Sequence, residues 1–452
     1  MSVAARAGTD RRPMVIALAG MASLAVAMGI GRFAFTPILP MMLAERLLDL
    51  PTASWLASAN YFGYMIGAVF CTLQPWLWGR LPVLPILAFA TLVRAGLVAT
   101  VLLTAAMALD WPLAWPTLRF AAGVASAVVF VYTSGWCLAQ LARQGASALG
   151  GIIYAGPGVG IVASGLSATG MVAGHWSAAA AWLAFGALAA VLVALVWAVF
   201  RGGEERLAVQ RRGPIGRPSP NAAAAATAAA AATNAAPLTA TPLTVALPAV
   251  APPVAARRRS AEIWLLGIAY GFAGFGYIIT ATFLPVIARS ALPGSAWLDL
   301  FWPIFGAGVI IGALLATRAP PGGDRRLLLA GCYLVQAIGI GASLLSPSLA
   351  GFVAGSLLLG IPFTAITFFA MQEARRLMPP QAVASYIGLL TATYGIGQIS
   401  GPPMVAAVLS ASSSTAAGFA ISLEIAASVL LAGAVLYLLM ARRYRRADPP
   451  AA

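Results

Sequence analysis

Apolar residues run along this chain in stretches long enough to cross a lipid bilayer, separated by polar gaps. A helix needs about 20 predominantly apolar residues to span the hydrocarbon core. The pattern predicts twelve such spans, and every gap between them is short except the one after the sixth. The predicted spans are residues 14–36, 53–74, 83–107, 113–139, 147–172, 177–200, 262–288, 296–317, 326–346, 349–372, 383–409 and 416–440.

The long gap after the sixth span has the composition of a linker. Residues 201–261 open with charged residues and continue through alanine blocks broken by prolines. Low complexity with repeated proline is typical of a flexible connection. We therefore expect an all-α polytopic membrane protein with two six-helix halves, 14–200 and 262–440, joined by this cytoplasmic linker. Cytoplasmic tails at 1–13 and 441–452 complete the division.

The overall composition excludes a soluble fold. Hydrophobic residues make up 61% of the chain and charged residues only 9%, against about 25% charged in soluble domains. A net charge of +15 is compatible with nucleic-acid binding. Most of the arginines lie in the gaps between spans, however, so we expect a lipid bilayer around the protein and no nucleic acid.

The placement of the arginines predicts the orientation in the membrane. With the N-terminus inside, 22 of the 27 basic residues fall on the cytoplasmic side. Only Arg46 and Arg289 fall outside, and three more lie within spans. Cytoplasmic loops of membrane proteins carry an excess of arginine and lysine. We expect a multi-pass protein of the bacterial inner membrane, a monomer, with both termini in the cytoplasm.

An internal repeat relates the first span to the seventh. Residues 29–40 read GIGRFAFTPILP, and residues 274–285 read GFGYIITATFLP. The G-x-G and L-P elements match at corresponding places of the two halves, and the alignment sets Arg32 against Tyr277. Repeated halves are typical of transporters that bind their solute at the repeat interface.

Several motifs carry a family resemblance. Twelve spans in two halves resemble the major facilitator superfamily, and GIGRFAFTPILPMM resembles the first helix of its YbfB/YjiJ-type branch. RFAAG at 119–123 is similar to the R-x-x-x-G element of proton-coupled members, and GPGVG at 156–160 to an element associated with antiporters. The predicted loop QPWLWGRLP at 74–82 departs from the family gate, because only Gly79 and Arg80 match and the aspartate is absent.

Charged residues within the spans are the first candidates for the site. The resemblance places helices one, four, seven and ten around a central cavity, where Arg32 and Arg119 would contact a substrate. Alternatively Arg32 snorkels to the outer interface, and Arg119 anchors there beside Trp111 and Trp115. Arg94 lies near the middle of the third span, where pairing with a carbonyl or a buried side chain is the favoured role.

The scarcity of acidic residues in the spans bears on the substrate. Glu424 is the one carboxylate clearly inside a span, whereas Glu262, Glu373 and Asp299 lie near span ends and are expected at the interface. Glu424 is therefore the candidate for proton coupling, with structural pairing to an arginine as the alternative. Arginine holds carboxylates and phosphates bidentately. We therefore expect an organic anion or another carboxylate-bearing solute.

Other polar and flexible residues complete the candidate site. Polar and aromatic residues expected to bind substrate beside the arginines are Asn60, Tyr61, Tyr132, Tyr154, Tyr277, Tyr394 and Gln398. Glycines and prolines expected to flex during alternating access are Gly29, Gly31, Pro37, Pro157, Gly274, Gly276 and Pro285. Pro40 would loosen the first span, and Pro362, Pro402 and Pro403 would interrupt the tenth and eleventh.

These features predict a secondary active transporter of a small organic solute, working by alternating access with protons as the candidate coupling ion. The alternatives are multidrug-type efflux of amphipathic compounds, or a sensor or scaffold with a transporter fold. We expect neither an enzyme nor a cofactor nor a metal site. His175 is the only histidine, the three cysteines lie inside apolar runs, and no phosphate-binding loop for ATP occurs.

Overall fold

The computed structural model describes residues 13–80, 89–146, 149–203, 253–295, 297–320, 323–378 and 380–444. These residues form helices joined by turns, with no β-strand among them. The helices are α1 (Pro13–Leu24), α2 (Phe35–Ala44), α3 (Leu50–Arg80), α4 (Phe89–Ala106), α5 (Trp115–Arg143), α6 (Gly150–Tyr154), α7 (Gly156–Ala173), α8 (Ala178–Trp197), α9 (Pro253–Ala291), α10 (Phe301–Ala316), α11 (Arg325–Leu345), α12 (Leu349–Leu377), α13 (Pro380–Ala411) and α14 (Thr415–Arg443).

The helices match the predicted spans. Within the described residues, 11 helical stretches are long and apolar enough to cross a membrane. The remaining predicted span, 383–409, lies within α13. The all-α multi-pass fold is therefore confirmed. Most of the predicted linker, 204–252, and most of both tails lie outside the described residues.

Two element boundaries differ from the prediction. Helix α9 begins at Pro253, within the predicted linker, because proline suits the first turn of a helix and the alanines and arginines after it favour helix. Helix α3 continues to Arg80, so residues 74–80 of the predicted loop QPWLWGRLP are helical. Residues 81–88 lie outside the described part of the chain.

The first span is broken where the repeat motif begins. Helix α1 passes into a π-helical segment, Ala25–Ile30, and then into a turn at 31–34. The amide of Gly31 donates to the Val26 carbonyl at 2.8 Å, an interaction with the fifth residue before it. Pro37 and Pro40 lie within α2, after this irregular stretch, and their predicted loosening of the span stays a prediction.

The corresponding span of the second half is continuous. Helix α9 runs through Pro285 without interruption. The two halves therefore share the sequence motif but differ in its backbone conformation. The predicted interruptions at Pro362, Pro402 and Pro403 are wrong, since α12 and α13 continue through them. The Ile399 carbonyl, four residues before Pro403, accepts a hydrogen bond from the Ser58 hydroxyl of a neighbouring helix. The fifth span does divide, at the Ala155 junction between α6 and α7, with Pro157 in the first turn of α7.

The two halves meet along two pairs of helices. Helix α3 packs against α13, and α7 packs against α10. A Cβ atom added to Gly158 of α7 would lie 2.7 Å from the Gly306 carbonyl oxygen of α10. Glycine is therefore required for these backbones to approach, as is common where membrane helices pack. Polar residues also join the halves, both within these helix pairs and between them.

Candidate functional site

Arg32 lies at the centre of the molecule, in the turn that follows the π-helical segment. Its side chain is buried, and its Nη2 donates to Gln398 Oε1 of α13 at 2.8 Å. The Gln398 amide nitrogen donates in turn to the Tyr277 hydroxyl of α9. One amide therefore links Arg32 to Tyr277, the residue that the repeat aligns with it. The alternative that Arg32 snorkels to the outer interface does not hold, because only 3% of the residue is exposed.

Aromatic rings enclose the Arg32 guanidinium. Its central carbon lies 4.1 Å from the ring centroid of Tyr64 and 5.2 Å from those of Tyr61 and Phe33. Such distances place the cation within the attractive range of a ring face. The rings stabilise the charge without neutralising it.

Arg119 supports the break in the first span. Its Nη2 donates to the Arg32 carbonyl at 2.9 Å and its Nη1 to the Gly31 carbonyl at 3.2 Å. The Asn60 side chain donates to the Arg119 carbonyl at 2.8 Å. A buried carbonyl that accepts no hydrogen bond within its helix needs a donor from elsewhere. Arg119 thus acts on Arg32 through the backbone, and its buried side chain rules out the alternative of an interfacial anchor.

Neither guanidinium has an acidic partner among the described residues. The ion pairs found among these residues involve Arg289, Arg326 and Arg376 instead. The Nε atoms of Arg32 and Arg119 are buried without a hydrogen-bond partner. Burying a charge is costly unless it is paired and hydrogen-bonded. Arg32 and Arg119 are thus two neighbouring cations with no carboxylate beside them among the described residues, and they attract negative charge to the site.

Hydrogen bonds between the halves concentrate on one side of the bundle. We call the side where α1 begins the terminal side and the side where α2 ends the opposite side. Five inter-half hydrogen bonds among the described residues lie between the middle of their helices and the opposite side. They join Arg32 with Gln398, Thr36 with the Ala281 carbonyl, Ser58 with the Ile399 carbonyl, Tyr61 with Thr282, and Thr169 with the Asp299 carbonyl. Opening the opposite side would break them.

A stack of tyrosines adjoins Arg32 on the side of the second half. The rings of Tyr270 and Tyr394 stack at 4.8 Å, and those of Tyr394 and Tyr277 at 5.9 Å. Phe363 packs edge-on against Tyr277 at 4.9 Å. Tyr277 and Tyr270 are buried, whereas Tyr394 is half-buried. Tyr394 is therefore the most exposed of the three tyrosines, although its ring lies between the other two.

Some predicted site residues contact other parts of the protein. The Tyr132 hydroxyl donates to Gln74 at 3.2 Å, and the Tyr154 ring packs against Phe130. Arg94 is half-buried, with its guanidinium 5.3 Å from the Trp197 ring. Glu424 is exposed on the outer surface of α14. The structure does not bring these residues together with Arg32.

The glycines predicted to flex lie at close helix contacts. A Cβ atom added to Gly29, Gly31, Gly274 or Gly276 would collide with atoms of a neighbouring helix. Their observed contribution is therefore close packing. A hinge role for these glycines and for Pro37, Pro157 and Pro285 stays a prediction.

A buried ionic cluster lies at the terminal side of the second half. The fully buried Arg326 bonds Asp324 at 2.8 Å and Glu262 at 2.9 Å, and its Nε lies 3.6 Å from Glu373. Arg376 binds Glu373 at 2.8 Å and also contacts Glu262. Glu262 and Glu373 are both buried within this cluster, and their predicted position at the membrane interface stays a prediction. The overlooked signal was the sequence GDRR at 323–326, an aspartate directly before two arginines.

Two helical halves with a buried polar site between them define a membrane transporter of the major facilitator type. The comparisons with known proteins agree. The chain belongs to the family described as the uncharacterised MFS-type transporter YbfB, whose family model matches residues 24–230 and again residues 218–438.

Comparison of structures gives the same fold. The chain resembles the crystal structure of a single-residue mutant of the nucleoside transporter NupG, with a TM-score of 0.65 and 14% sequence identity. The similarity covers 94% of this chain and 99% of that one. At this identity the likeness shows the fold alone. No curated protein matches the sequence.

Proposed function

We propose that this protein is a secondary active transporter of a small organic anion or another carboxylate-bearing solute. The proposal is carried by Arg32, a buried guanidinium at the meeting point of the halves with no carboxylate within ion-pair distance among the described residues. A guanidinium stays charged at physiological pH and holds a carboxylate bidentately. Its bond to Gln398 uses a neutral acceptor that a carboxylate can replace.

Alternating access is supported by the distribution of contacts between the halves. The hydrogen bonds from Arg32, Thr36, Ser58 and Tyr61 hold the opposite side together. Each is a single bond between uncharged groups or to a neutral acceptor, worth about 0.5–3 kcal/mol net. A rocking motion that breaks these bonds would expose Arg32 to the opposite side, and reformation would close it again.

The proposal extends to coupling, location and oligomeric state. We propose that the coupling proton is carried by an ionisable group of the solute other than the carboxylate on Arg32, because Glu424 is exposed and away from Arg32. The proposed location is the bacterial inner membrane with both termini in the cytoplasm, which follows from the arginine distribution. A monomer suffices, because one chain contributes both halves of the site.

Uptake by proteoliposomes tests the proposal. Radiolabelled organic anions and cations are offered under imposed solute and pH gradients to wild-type protein and to the variants Arg32→Ala and Arg32→Lys. We expect anion uptake that Arg32→Ala abolishes and Arg32→Lys weakens. Arg289→Gln, a variant of an arginine in the Arg289–Asp299 pair away from the site, serves as the matched control. Cation uptake that is insensitive to Arg32 would refute the proposal.

A further inference from the structure

A groove runs along the lipid-facing surface of the first half, between α4 and α8. It has a volume of about 400 Å³ and an apolar lining, which includes Val98 and Leu102 of α4 and Ala190, Ala194 and Trp197 of α8. Residues three or four apart lie on the same face of a helix, so each helix contributes one face to the groove. Ala190 and Ala194 are both exposed, and their small side chains leave the space between the helices open.

The groove is closed at one end and carries a charge at the other. On the opposite side, a Cβ atom added to Gly186 of α8 would lie 2.9 Å from the Ala105 Cβ atom of α4, so the two helices touch there. On the terminal side, Arg94 lies one helical turn before Val98 on the same face of α4. Its guanidinium carbon is 5.3 Å from the ring centroid of Trp197. An apolar groove therefore leads away from a guanidinium.

The guanidinium of Arg94 lies at the depth of lipid headgroups. Helix α8 has 20 residues, which span about 30 Å at 1.5 Å per residue, the thickness of the hydrocarbon core. Its last residue, Trp197, therefore lies at the membrane interface on the terminal side, where tryptophan is enriched. Arg94 beside it is half-buried, so part of its side chain is accessible from this interface.

The charge of the groove distinguishes between kinds of headgroup. Over their described lengths, α4 and α8 contain no aspartate or glutamate, and Arg94 is their only charged residue. A guanidinium has five N–H donors and can hold a phosphate through two parallel hydrogen bonds. The ammonium group of a zwitterionic lipid would find no carboxylate on either helix. The groove therefore favours a lipid with a net negative charge.

We infer that this groove binds an acidic phospholipid from the leaflet on the terminal side, with its phosphate on Arg94 and an acyl chain between α4 and α8. Basic pockets between membrane helices bind acidic headgroups in this way. The acyl chain fills the space beside Ala190 and Ala194, and the helix contact at Gly186 limits how far it reaches. Lipid binding needs no solute, so the inference does not rest on the proposed function.

Native mass spectrometry of the purified full-length protein in detergent tests the inference. The probes are dioleoyl phosphatidylglycerol and dioleoyl phosphatidylethanolamine, which have the same acyl chains and differ in net charge. One arginine at an acidic membrane surface contributes a factor of about 5 in affinity. We expect the first phosphatidylglycerol molecule to bind more tightly than the first phosphatidylethanolamine molecule by about that factor. This comparison uses wild-type protein, so misfolding of a variant does not prevent it.

Variants assign the bound lipid to the groove. Arg94→Gln should abolish the preference for phosphatidylglycerol, whereas Arg94→Lys, which keeps the charge, should retain part of it. Ala194→Leu fills the groove and should weaken the binding of both lipids. The matched controls are Arg442→Gln, at an exposed arginine on the terminal side of α14, and Ala187→Leu, at an exposed alanine of α8 outside the groove. Neither control should change the affinities.

Three results would overturn the inference. Equal affinity for the two lipids, or a preference that persists in Arg94→Gln, would show that the groove does not distinguish headgroup charge. Competition by inorganic phosphate at Arg94, without any effect of Ala194→Leu, would assign a site for free phosphate. A dimer in lipid nanodiscs that Ala194→Leu dissociates would make the groove an interface between two copies of the chain.

Discussion

Replacing Gln398 with glutamate would place a carboxylate beside Arg32 that competes with the solute for the guanidinium. In Gln398→Glu the new carboxylate oxygen would occupy the position of the amide oxygen, 2.8 Å from Arg32 Nη2. The Tyr277 hydroxyl now accepts from the Gln398 amide, and it can rotate to donate to a carboxylate instead. The substitution therefore keeps the hydrogen bonds and adds a charge that pairs with Arg32.

The size of the effect follows from this geometry. The bond to Gln398 already involves the Arg32 charge, so Gln398→Glu adds only the second charge. The step from a neutral to a charged hydrogen-bond partner is worth about 1–1.5 kcal/mol, and we expect the unfolding free energy to rise by that amount. The same interaction must be broken before an external carboxylate can bind. An energy of about 1–1.5 kcal/mol corresponds to a roughly 5- to 13-fold loss of affinity for the anion. Gln398→Met, which removes both hydrogen bonds without adding charge, should lower the stability.

A double-mutant cycle with Arg32→Gln gives the sharpest readout. Stability is measured by chemical denaturation in detergent, and anion affinity by calorimetry, for the two single variants and the double variant. The carboxylate of Gln398→Glu should become destabilising when Arg32 is replaced, because a buried charge then lacks its partner. Unchanged anion affinity in Gln398→Glu, with no coupling between the two positions, would refute Arg32 as the anion-binding group.

Three further variants test other parts of the structure. Arg119→Lys removes one of the two donors to the broken helix, so the unfolding free energy should fall by about 1.5–3 kcal/mol; unaltered denaturation would contradict its supporting role. Glu424→Gln should leave uptake and its pH dependence unchanged in proteoliposomes, and loss of the pH dependence would restore Glu424 as the proton carrier. Arg326→Met leaves Glu262 and Glu373 buried without this cation and should cost about 3–5 kcal/mol in denaturation; wild-type stability would argue against the cluster.

Hydrophobic patterning was sufficient to predict the helices, because a bilayer fixes the length of a span and its composition. It also singled out Arg32, since a charge within a span is costly and needs a compensating environment. The internal repeat anticipated that Arg32 and Tyr277 approach each other from the two halves. That outcome follows from the pseudo-symmetry of two similar bundles around one interface.

Features that depend on contacts between helices distant in sequence could not be predicted from the sequence. The break at Ala25–Ile30 persists because Arg119, on another helix, donates to the freed carbonyls. The motif around Tyr277 has a similar pattern of glycines and yet stays helical, so local sequence does not determine the break. Span composition likewise gave no indication that Glu424 lies on the outer surface, whereas Glu262 is buried in an ionic cluster.

The guanidiniums of Arg32 and Arg119 have a consequence for the behaviour of the protein under membrane voltage. An empty site carries fixed positive charge, while a site holding a monovalent anion carries one elementary charge less. Moving one elementary charge across the full membrane is worth about 2.3 kcal/mol per 100 mV. If these arginines cross part of the membrane field when the halves rock, the voltage acts more strongly on the empty form, which carries more positive charge, than on the loaded form. The voltage would then set how fast the unloaded transporter returns.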